Sequence, residues 1–172
     1  NRGSEYIFKL KAETTAALRQ LGQQQNTTAF VVLLAAFHAL LHRYARQEQI
    51  LIGVPFTGRI SSEVEHIGGF FVNTLPVKTD LGMAPDFVSL LQQVREGVRG
   101  AQAHQELPFE RLVSHVQPVR EKNRNPLFQV LAVLEVALSR PAWTPDLTVE
   151  FKEIASPEAM FDLTLSVTDG KN

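Results

Sequence analysis

The sequence predicts an α/β fold, specifically an α/β sandwich with a mixed β-sheet. Segments with helical spacing alternate with apolar runs of strand length through most of the chain. Two segments near the end, 147–152 and 161–167, alternate apolar and polar residues and therefore predict strands with one face that is either in water or covered by a partner. Helices and strands alternate in the first part of the chain and strands dominate later. This order favours a mixed sheet over a strictly doubly wound parallel one.

Two helices are predicted in the first third of the chain. A polar helix over 12–21 ends at Gly22. The capping side chains of residues 26–28 then precede the most regular helix of the sequence. Its apolar residues, three and four apart, share one broad face. They are Phe30, Leu33, Leu34, Phe37, Leu40, Leu41 and Tyr44.

Two further helices and four further strands are predicted. Pro85 and Asp86 open a helix over 87–101, and Pro108 opens another that ends before Pro118. A loop over 57–69 follows a strand that is buried on both faces. The apolar runs that predict strands are 6–10, 50–56, 70–77 and 127–134.

Composition narrows the possible functions. The 172 residues are 44% hydrophobic and 20% charged, which predicts one globular domain. Seventeen basic against eighteen acidic residues give a net charge of −1, which disfavours binding to nucleic acid or to an anionic membrane. With no cysteine, a disulfide or a thiolate zinc site is excluded, and a cytoplasmic location is expected. The apolar segment 29–41 is too short to span a bilayer.

The familiar catalytic and nucleotide-binding signatures are missing from the sequence. It contains no glycine-rich phosphate loop, no G-x-G-x-x-G and no G-x-S-x-G. His38 and His42 have the spacing of two helical metal ligands, but no third ligand accompanies them. We therefore predict no metal site, with both rings flanking the apolar stripe and their nitrogens reaching water or backbone. His66 and His115 are expected at the surface.

Three stretches are more unusual than the composition requires. They are I-G-G-F-F-V-N-T over 67–74, H-Q-E-L-P-F-E over 104–110, and the segment from Arg120 that ends in N-R-N-P-L-F at 128. Asn73 places an amide in an otherwise apolar strand, and a buried amide without partners costs about 1–3 kcal/mol. It therefore either faces a substrate or pairs with neighbouring backbone at a sheet edge.

These stretches, in this order and spacing, resemble the fifth, sixth and seventh core motifs of condensation domains of nonribosomal peptide synthetases. The family motifs are I-G-x-F-V-N-T, H-Q-D-x-P-F-E and R-D-x-S-R-N-P-L. Residues 30–44 and 49–59 also look like the family's long helix, strand and V-G-x-P-x-x-G-R turn, and 161–167 like its F-D-L-T-L strand. The resemblance covers essentially the whole chain.

The departures from the family pattern are small except for one absence. Glu106 replaces an aspartate of the sixth motif, and Glu121 and Asn123 replace aspartate and serine of the seventh, so no subtype is assigned. The H-H-x-x-x-D-G motif, whose second histidine lies at the reaction centre, is not in these residues. The resemblance therefore implies that residues 1–172 are a C-terminal chloramphenicol-acetyltransferase-like lobe, with the catalytic histidine expected in an absent N-terminal lobe.

The resemblance also implies roles for residues of the three motifs. Asn73 would be a polar group of the substrate tunnel, residues 57–69 its floor, and Gly68 and Gly69 sites of close backbone passage. A structural role is expected for the remaining motif residues, which are His104, Gln105, Pro108, Phe109, Arg124 and Asn125. Of these, Arg124 and Asn125 would lock a turn rather than touch substrate.

The implied reaction joins a donor acyl thioester and an acceptor amine, each held by a carrier protein. The implied partners are the N-terminal lobe, the upstream and downstream peptidyl carrier proteins with their phosphopantetheine arms, and an adjacent adenylation domain, in a bacterial cytoplasm. No cofactor is expected on the chain itself. Alternatives are a carrier-protein docking lobe, an epimerisation-type relative, or an unrelated α/β domain, against which the ordered motifs argue.

The segment 141–159 is expected to be a latch that crosses to the other lobe. It carries the predicted strand 147–154, whose apolar face consists of Leu147, Val149 and Phe151. In a separate lobe such a strand would be mobile, folded back, or paired with a second copy in a homodimer.

Overall fold

A computed structural model describes residues 3–84, 86–119, 122, 124–135 and 158–168. Within them, five helices and a short 3₁₀ turn surround a four-stranded sheet. The helices are α1 (Ala12–Gln24), α2 (Ala29–Ala45), α3 (Ser62–Glu65), α4 (Phe87–Ala103) and α5 (Phe109–Val116), and the 3₁₀ turn is Leu81–Met83. The strands are β1 (Gln49–Phe56), β2 (Asn73–Asp80), β3 (Val130–Glu135) and β4 (Leu163–Thr168).

The sheet has the strand order β2-β1-β3-β4 and is mixed. β2 runs antiparallel to β1, with Phe56 opposite Asn73 and Gln49 opposite Asp80. β3 runs parallel to both β1 and β4, with Gly53 opposite Leu131. The prediction of a mixed sheet is therefore confirmed. In this topology the carboxyl ends of β1, β3 and β4 and the start of β2 lie at the same end of the strands. We call this end of the sheet the motif edge.

The core lies between one face of the sheet and helices α2 and α4. Alternate residues of β1 and β2, including Ile52 and Val77, point to this face and are fully buried. Leu34 of α2 and Leu91 of α4 pack into the same cluster. Gly97 of α4 lies so close to Val77 that an added Cβ would be 3.1 Å from its Cγ1, which brings the helix tightly onto β2.

Helix boundaries follow the capping prediction at two sites and depart from it at one. Thr28 and Asp86 accept hydrogen bonds from the backbone N–H groups of Val31 and Ser89, as N-caps do. The expected stop at Gly22 is wrong, since α1 continues to Gln24. No described helix is long and apolar enough to cross a bilayer alone, and α1 and α2 pass that test only as a pair bent by 101°.

The predicted apolar stripe of α2 is only partly correct. Leu34 and Phe37 are buried, but Leu40 is half exposed and Tyr44 is exposed. The buried face is instead centred one position round the helix, on Val31, Val32, Leu34, Ala35, Phe37 and His38. The covered face follows α4 and β1, whose positions the spacing of apolar residues alone does not fix.

Strand positions also shift from their predictions. No strand forms over 6–10, where Tyr6 is 85% exposed, because no neighbouring backbone in the described structure pairs with it. The strand expected over 70–77 begins at Asn73, and that expected over 127–134 begins at Val130. A short helix, α3, interrupts the expected loop over 57–69. The predicted strand 147–154 lies outside the described residues, as does the latch except for its end at 158–159.

Candidate functional site

Asn73 stands at the motif edge as the first residue of the edge strand β2. Its side-chain Nδ2 donates hydrogen bonds to the backbone carbonyls of Gln105, at 2.9 Å, and Leu107, at 2.7 Å. Of the two alternatives for this amide, the hydrogen bonds match pairing with neighbouring backbone at a sheet edge. Both N–H donors are used in this way, and the half-buried side chain ties the fifth motif to the sixth.

The sixth motif is a turn between α4 and α5. His104 follows the last residue of α4, is exposed, and receives a hydrogen bond from the Leu107 N–H at its backbone carbonyl. Pro108 occupies the N-cap position of α5, where a missing N–H costs nothing. Gln105 contributes its backbone carbonyl to Asn73. Within the motif, the turn is thus held by hydrogen bonds of backbone groups. These groups are the His104 carbonyl, the Leu107 N–H and the Gln105 carbonyl.

The seventh motif is a turn that leads into β3. Asn125 Oδ1 accepts the backbone N–H groups of Leu127, at 3.0 Å, and Phe128, at 3.2 Å, which builds an Asx-type turn. Arg124 forms an ion pair with Asp162 at 2.7 Å, which ties this turn to the segment before β4. Both side chains thus hold local structure at the positions where a turn was expected.

A row of three aromatic rings links the sixth motif to the seventh and to the segment before β4. Phe128 meets Phe109 edge-on at a centroid distance of 5.7 Å and stacks on Phe161 at 5.8 Å. The other side of the buried Phe128 ring lies against Gly53 of β1, where an added Cβ would be 2.2 Å from its Cε2. Sequence reasoning missed Gly53. A glycine inside an apolar strand was the available signal, since such glycines mark close approaches.

The β1–β2 loop (residues 57–72) covers one end of the motif edge. Arg59 Nη1 donates to the carbonyls of Val64 and Ile67, and the guanidinium lies 4.5 Å from the centroid of the Phe71 ring. Sequence reasoning quoted Arg59 only as part of a resemblance and gave it no role. Backbone carbonyls, which every residue carries, leave no sequence signal for such a partner.

The two glycines of the fifth motif differ in their surroundings. An added Cβ at Gly69 would be 3.0 Å from Cε2 of Phe71, so close passage occurs there. At Gly68 no described atom comes within 4 Å of such a Cβ, and the expected close passage is not seen. A side chain at Gly69 would therefore need the Phe71 ring to shift by a few tenths of an ångström, whereas Gly68 has open space.

The two helical histidines have separate structural environments. His42 Nδ1 and the backbone carbonyl of Gln47 are 2.7 Å apart, which matches the expected backbone partner. The expectation for His38 is wrong, because its ring is fully buried and Nδ1 shares a 2.8 Å hydrogen bond with the Thr79 hydroxyl. Its Nε2 has no partner in the described structure. Burial lowers the pKa of His38 from 6.5 to about 4.

No group of three or more histidine, aspartate or glutamate side chains in the described part of the chain could hold a metal ion. The chemistry at the motif edge is instead that of hydrogen-bonding amides, backbone carbonyls and one half-buried contact between an arginine and an aromatic ring. These groups can shape and line a channel. None of them is a paired acid and base poised for proton transfer.

Comparison with known proteins identifies the family of this chain. The condensation-domain profile matches residues 1–172. The chain belongs to the condensation-domain family. This condensation-domain chain is 47% identical over 133 residues to a linear gramicidin synthase of Brevibacillus parabrevis, covering 77% of the chain and 3% of that protein. It is 39% identical over 170 residues to malpibaldin synthetase of Mortierella alpina, covering 99% of the chain and 3% of that protein.

Solved structures show the same fold. A four-domain nonribosomal peptide synthetase bound to AMP and glycine superposes with a TM-score of 0.74 at 30% identity, covering 78% of this chain and 10% of that one. The X-domain in complex with OxyB from teicoplanin biosynthesis gives a TM-score of 0.82 at 25% identity, covering 95% and 35% respectively. The chain thus spans a small part of its curated relatives and about a third of the X-domain chain. The α/β class and the condensation-domain fold expected from the sequence are confirmed.

Replacing Asn73 with alanine removes both side-chain donors at the junction of the fifth and sixth motifs. The carbonyls of Gln105 and Leu107 lose their partner, so we expect the free energy of unfolding to fall by about 1–3 kcal/mol in urea denaturation. Gln102→Ala, at an exposed position of α4, is the matched control and should stay near wild type. Unchanged stability in Asn73→Ala together with lost turnover would instead assign the amide to the substrate.

Proposed function

We propose that this chain is the C-terminal lobe of a condensation domain that forms an amide bond within a nonribosomal peptide synthetase. A donor acyl thioester and an acceptor amine, each on the phosphopantetheine arm of a carrier protein, would meet in a tunnel between this lobe and an upstream one. The observation that carries the proposal is the Asn73 amide, which joins two family motifs at the motif edge.

The proposed reaction explains why this lobe would contain groups that shape a tunnel and no acid–base pair. The acceptor amine attacks the thioester carbonyl carbon, a C–N bond forms, the C–S bond breaks, and the donor carrier leaves as a thiol. The attacking nitrogen loses a proton, which the leaving sulfur ultimately gains. Holding the two reactants together can supply much of the acceleration, and the proton transfer then needs one positioned base. We assign that base to the histidine of an upstream H-H-x-x-x-D-G motif and the tunnel wall to this lobe.

Within this proposal, residues 57–69 of the β1–β2 loop are tunnel floor and Asn73, Gly68 and Gly69 line the tunnel. His104, Gln105, Pro108, Phe109, Arg124 and Asn125 support the wall from behind through the turns and the aromatic row. The proposed partners are the upstream lobe, peptidyl carrier proteins on both sides and an adjacent adenylation domain. Several relatives are peptide synthetases by name, including phosphinothricin tripeptide synthetase PhsB of Streptomyces viridochromogenes, which supports a role in secondary metabolism. We further propose that this role is carried out in a bacterial cytoplasm.

The purified 172-residue chain should form no amide from aminoacylated carrier proteins. The reason is that the proposed base is encoded outside it, which the absence of H-H-x-x-x-D-G from these residues supports. The measurement is mass spectrometry of the carrier-bound product, with the natural synthetase containing the upstream sequence as the positive control. Amide formation by the chain alone, or none by the synthetase, would contradict the proposal.

A second candidate function is a lobe that recruits a partner protein without joining substrates. The similarity to the X-domain, a structure solved as a complex with OxyB, favours it. The sequence just upstream discriminates between the two, since an intact H-H-x-x-x-D-G accompanies catalysis. A recruiting domain would retain partner binding while its synthetase lacked condensation at this step. An epimerisation-type relative would invert the carrier-bound residue instead of extending it.

A further inference from the structure

The β1–β2 loop closes on itself at its base. Gly58 has φ +65°, and an added Cβ there would be 1.9 Å from the carbonyl oxygen of Phe71. The two ends of the segment 58–71 therefore touch. Compact surface loops with joined ends and an interior filled by their own side chains are frequently functional.

Arg59 fills the interior of this closed loop. Besides the carbonyls of Val64 and Ile67, its guanidinium lies 3.3 Å from the carbonyl of Glu65 and 3.5 Å from that of Gly69. The side chain is half-buried, and its partners in the described structure are these carbonyls and the Phe71 ring. One cation thus gathers carbonyls from several parts of a segment in which only the four residues of α3 form regular structure.

A guanidinium is suited to this arrangement and an ammonium is not. Arginine presents five N–H donors in a rigid planar fork and can stack on an aromatic ring at the same time. Lysine offers three donors from one point on a flexible stem. It keeps the charge, but its one nitrogen cannot replace both Nη1, which contacts three of the carbonyls, and Nη2, which contacts the carbonyl of Gly69.

We propose that Arg59 is the positioning residue that fixes the shape of the β1–β2 loop. Through the loop, it also fixes the path of the backbone that leads into Asn73. The inference rests on the proposed function, in which residues 57–69 of this loop are the tunnel floor. The loop ends at residue 72, directly before the Asn73 amide that holds the sixth-motif turn. A change in loop shape therefore moves the floor of the tunnel without removing any group that reacts.

The test compares Arg59→Lys with wild type in the full synthetase. We expect amide hydrogen exchange over 60–72 to accelerate about tenfold or more, while exchange in β1 and α4 stays at its wild-type rate. Single-turnover amide formation should fall about 10- to 100-fold, because small misplacements of tethered reactants are costly. The KM for the acceptor-loaded carrier should change less than about threefold, since the docking surfaces of the carrier are untouched.

Two further variants keep the inference falsifiable. Arg99→Lys makes the same chemical change at an exposed position of α4 and should behave as wild type. Phe71→Leu removes the ring under the guanidinium and should give the same loop-limited acceleration, but a smaller one. Wild-type loop exchange and turnover in Arg59→Lys, or exchange that accelerates uniformly through the whole domain, would overturn the inference. Loss of condensation in the wild-type synthetase would instead contradict the proposed function and leave the exchange result to decide the role of Arg59.

Discussion

Gly53→Ala should destabilise the fold by about 3 kcal/mol, at the upper end of the usual cost of overpacking a core. Three atoms of the Phe128 ring, Cε2, Cζ and Cδ2, would lie 2.2, 2.5 and 2.6 Å from the new Cβ. The ring cannot easily move away, because Phe109 and Phe161 pack against it and it is 3% exposed. Urea denaturation followed by circular dichroism measures the change as a lower midpoint with an unchanged slope.

Gly100→Ala is the matched control for this substitution. Apart from the two chain neighbours and the backbone of its own helix, no described atom lies within 4 Å of a Cβ at Gly100, and the residue is in α4. Its replacement should stabilise the protein by about 0.5–1 kcal/mol, which is the helix-propensity difference between the two residues.

A double variant tests whether the Phe128 ring causes the loss. Phe128→Ala alone should cost about 3–5 kcal/mol, but in the Gly53→Ala background it should cost less, because removing the ring there also relieves the clash. Wild-type stability in Gly53→Ala, or strictly additive effects, would show that the ring does not lie against β1 in solution.

Features that depend on neighbours in the sequence were predictable, and those that depend on distant neighbours were not. Thr28 and Asp86 cap helices through N–H groups three residues away, so their side chains signal the helix starts directly. Gly22 is different. It sits inside α1 because the backbone of Thr27 and Thr28 returns against it, with the Thr27 carbonyl oxygen 3.0 Å from an added Cβ. A close approach and a helix stop both require glycine, and only the fold distinguishes them.

The contacts of the candidate site also depend on residues that are distant in the sequence. The sequence indicates that the Asn73 amide needs partners, but the partners are carbonyls of Gln105 and Leu107, more than thirty residues away. Apolar alternation at Tyr6 and Phe8 is necessary for a half-buried strand and is not sufficient, since a strand also needs a neighbouring backbone. The family could nevertheless be predicted from the motifs, because they contain residues that contact one another across long sequence distances.

Lowering the pH from 6.5 to 4 should destabilise the protein by about 3 kcal/mol through His38 alone. The folded state keeps this buried ring neutral, with its pKa lowered to about 4, while the unfolded chain protonates it near 6.5. Below pH 6.5 the unfolded state therefore binds a proton that the folded state does not, so stability is lost as the pH falls through this window. Free energies of unfolding from urea titrations at several pH values measure the slope.

His38→Gln should flatten the stability profile between pH 6.5 and 4, because glutamine does not titrate and can still bond to the Thr79 hydroxyl. If that variant folds poorly, His38→Leu combined with Thr79→Val removes both polar partners from the core and should flatten the profile equally. His66→Gln, at an exposed position, is the control and should keep the wild-type slope. The Ser89 backbone N–H lowers the pKa of the Asp86 carboxyl below 3.8, so its contribution begins to fall only at the acid end of this window and is lost mainly at still lower pH. A wild-type slope in both His38 variants would show that the buried ring is not the group that makes the fold acid-sensitive.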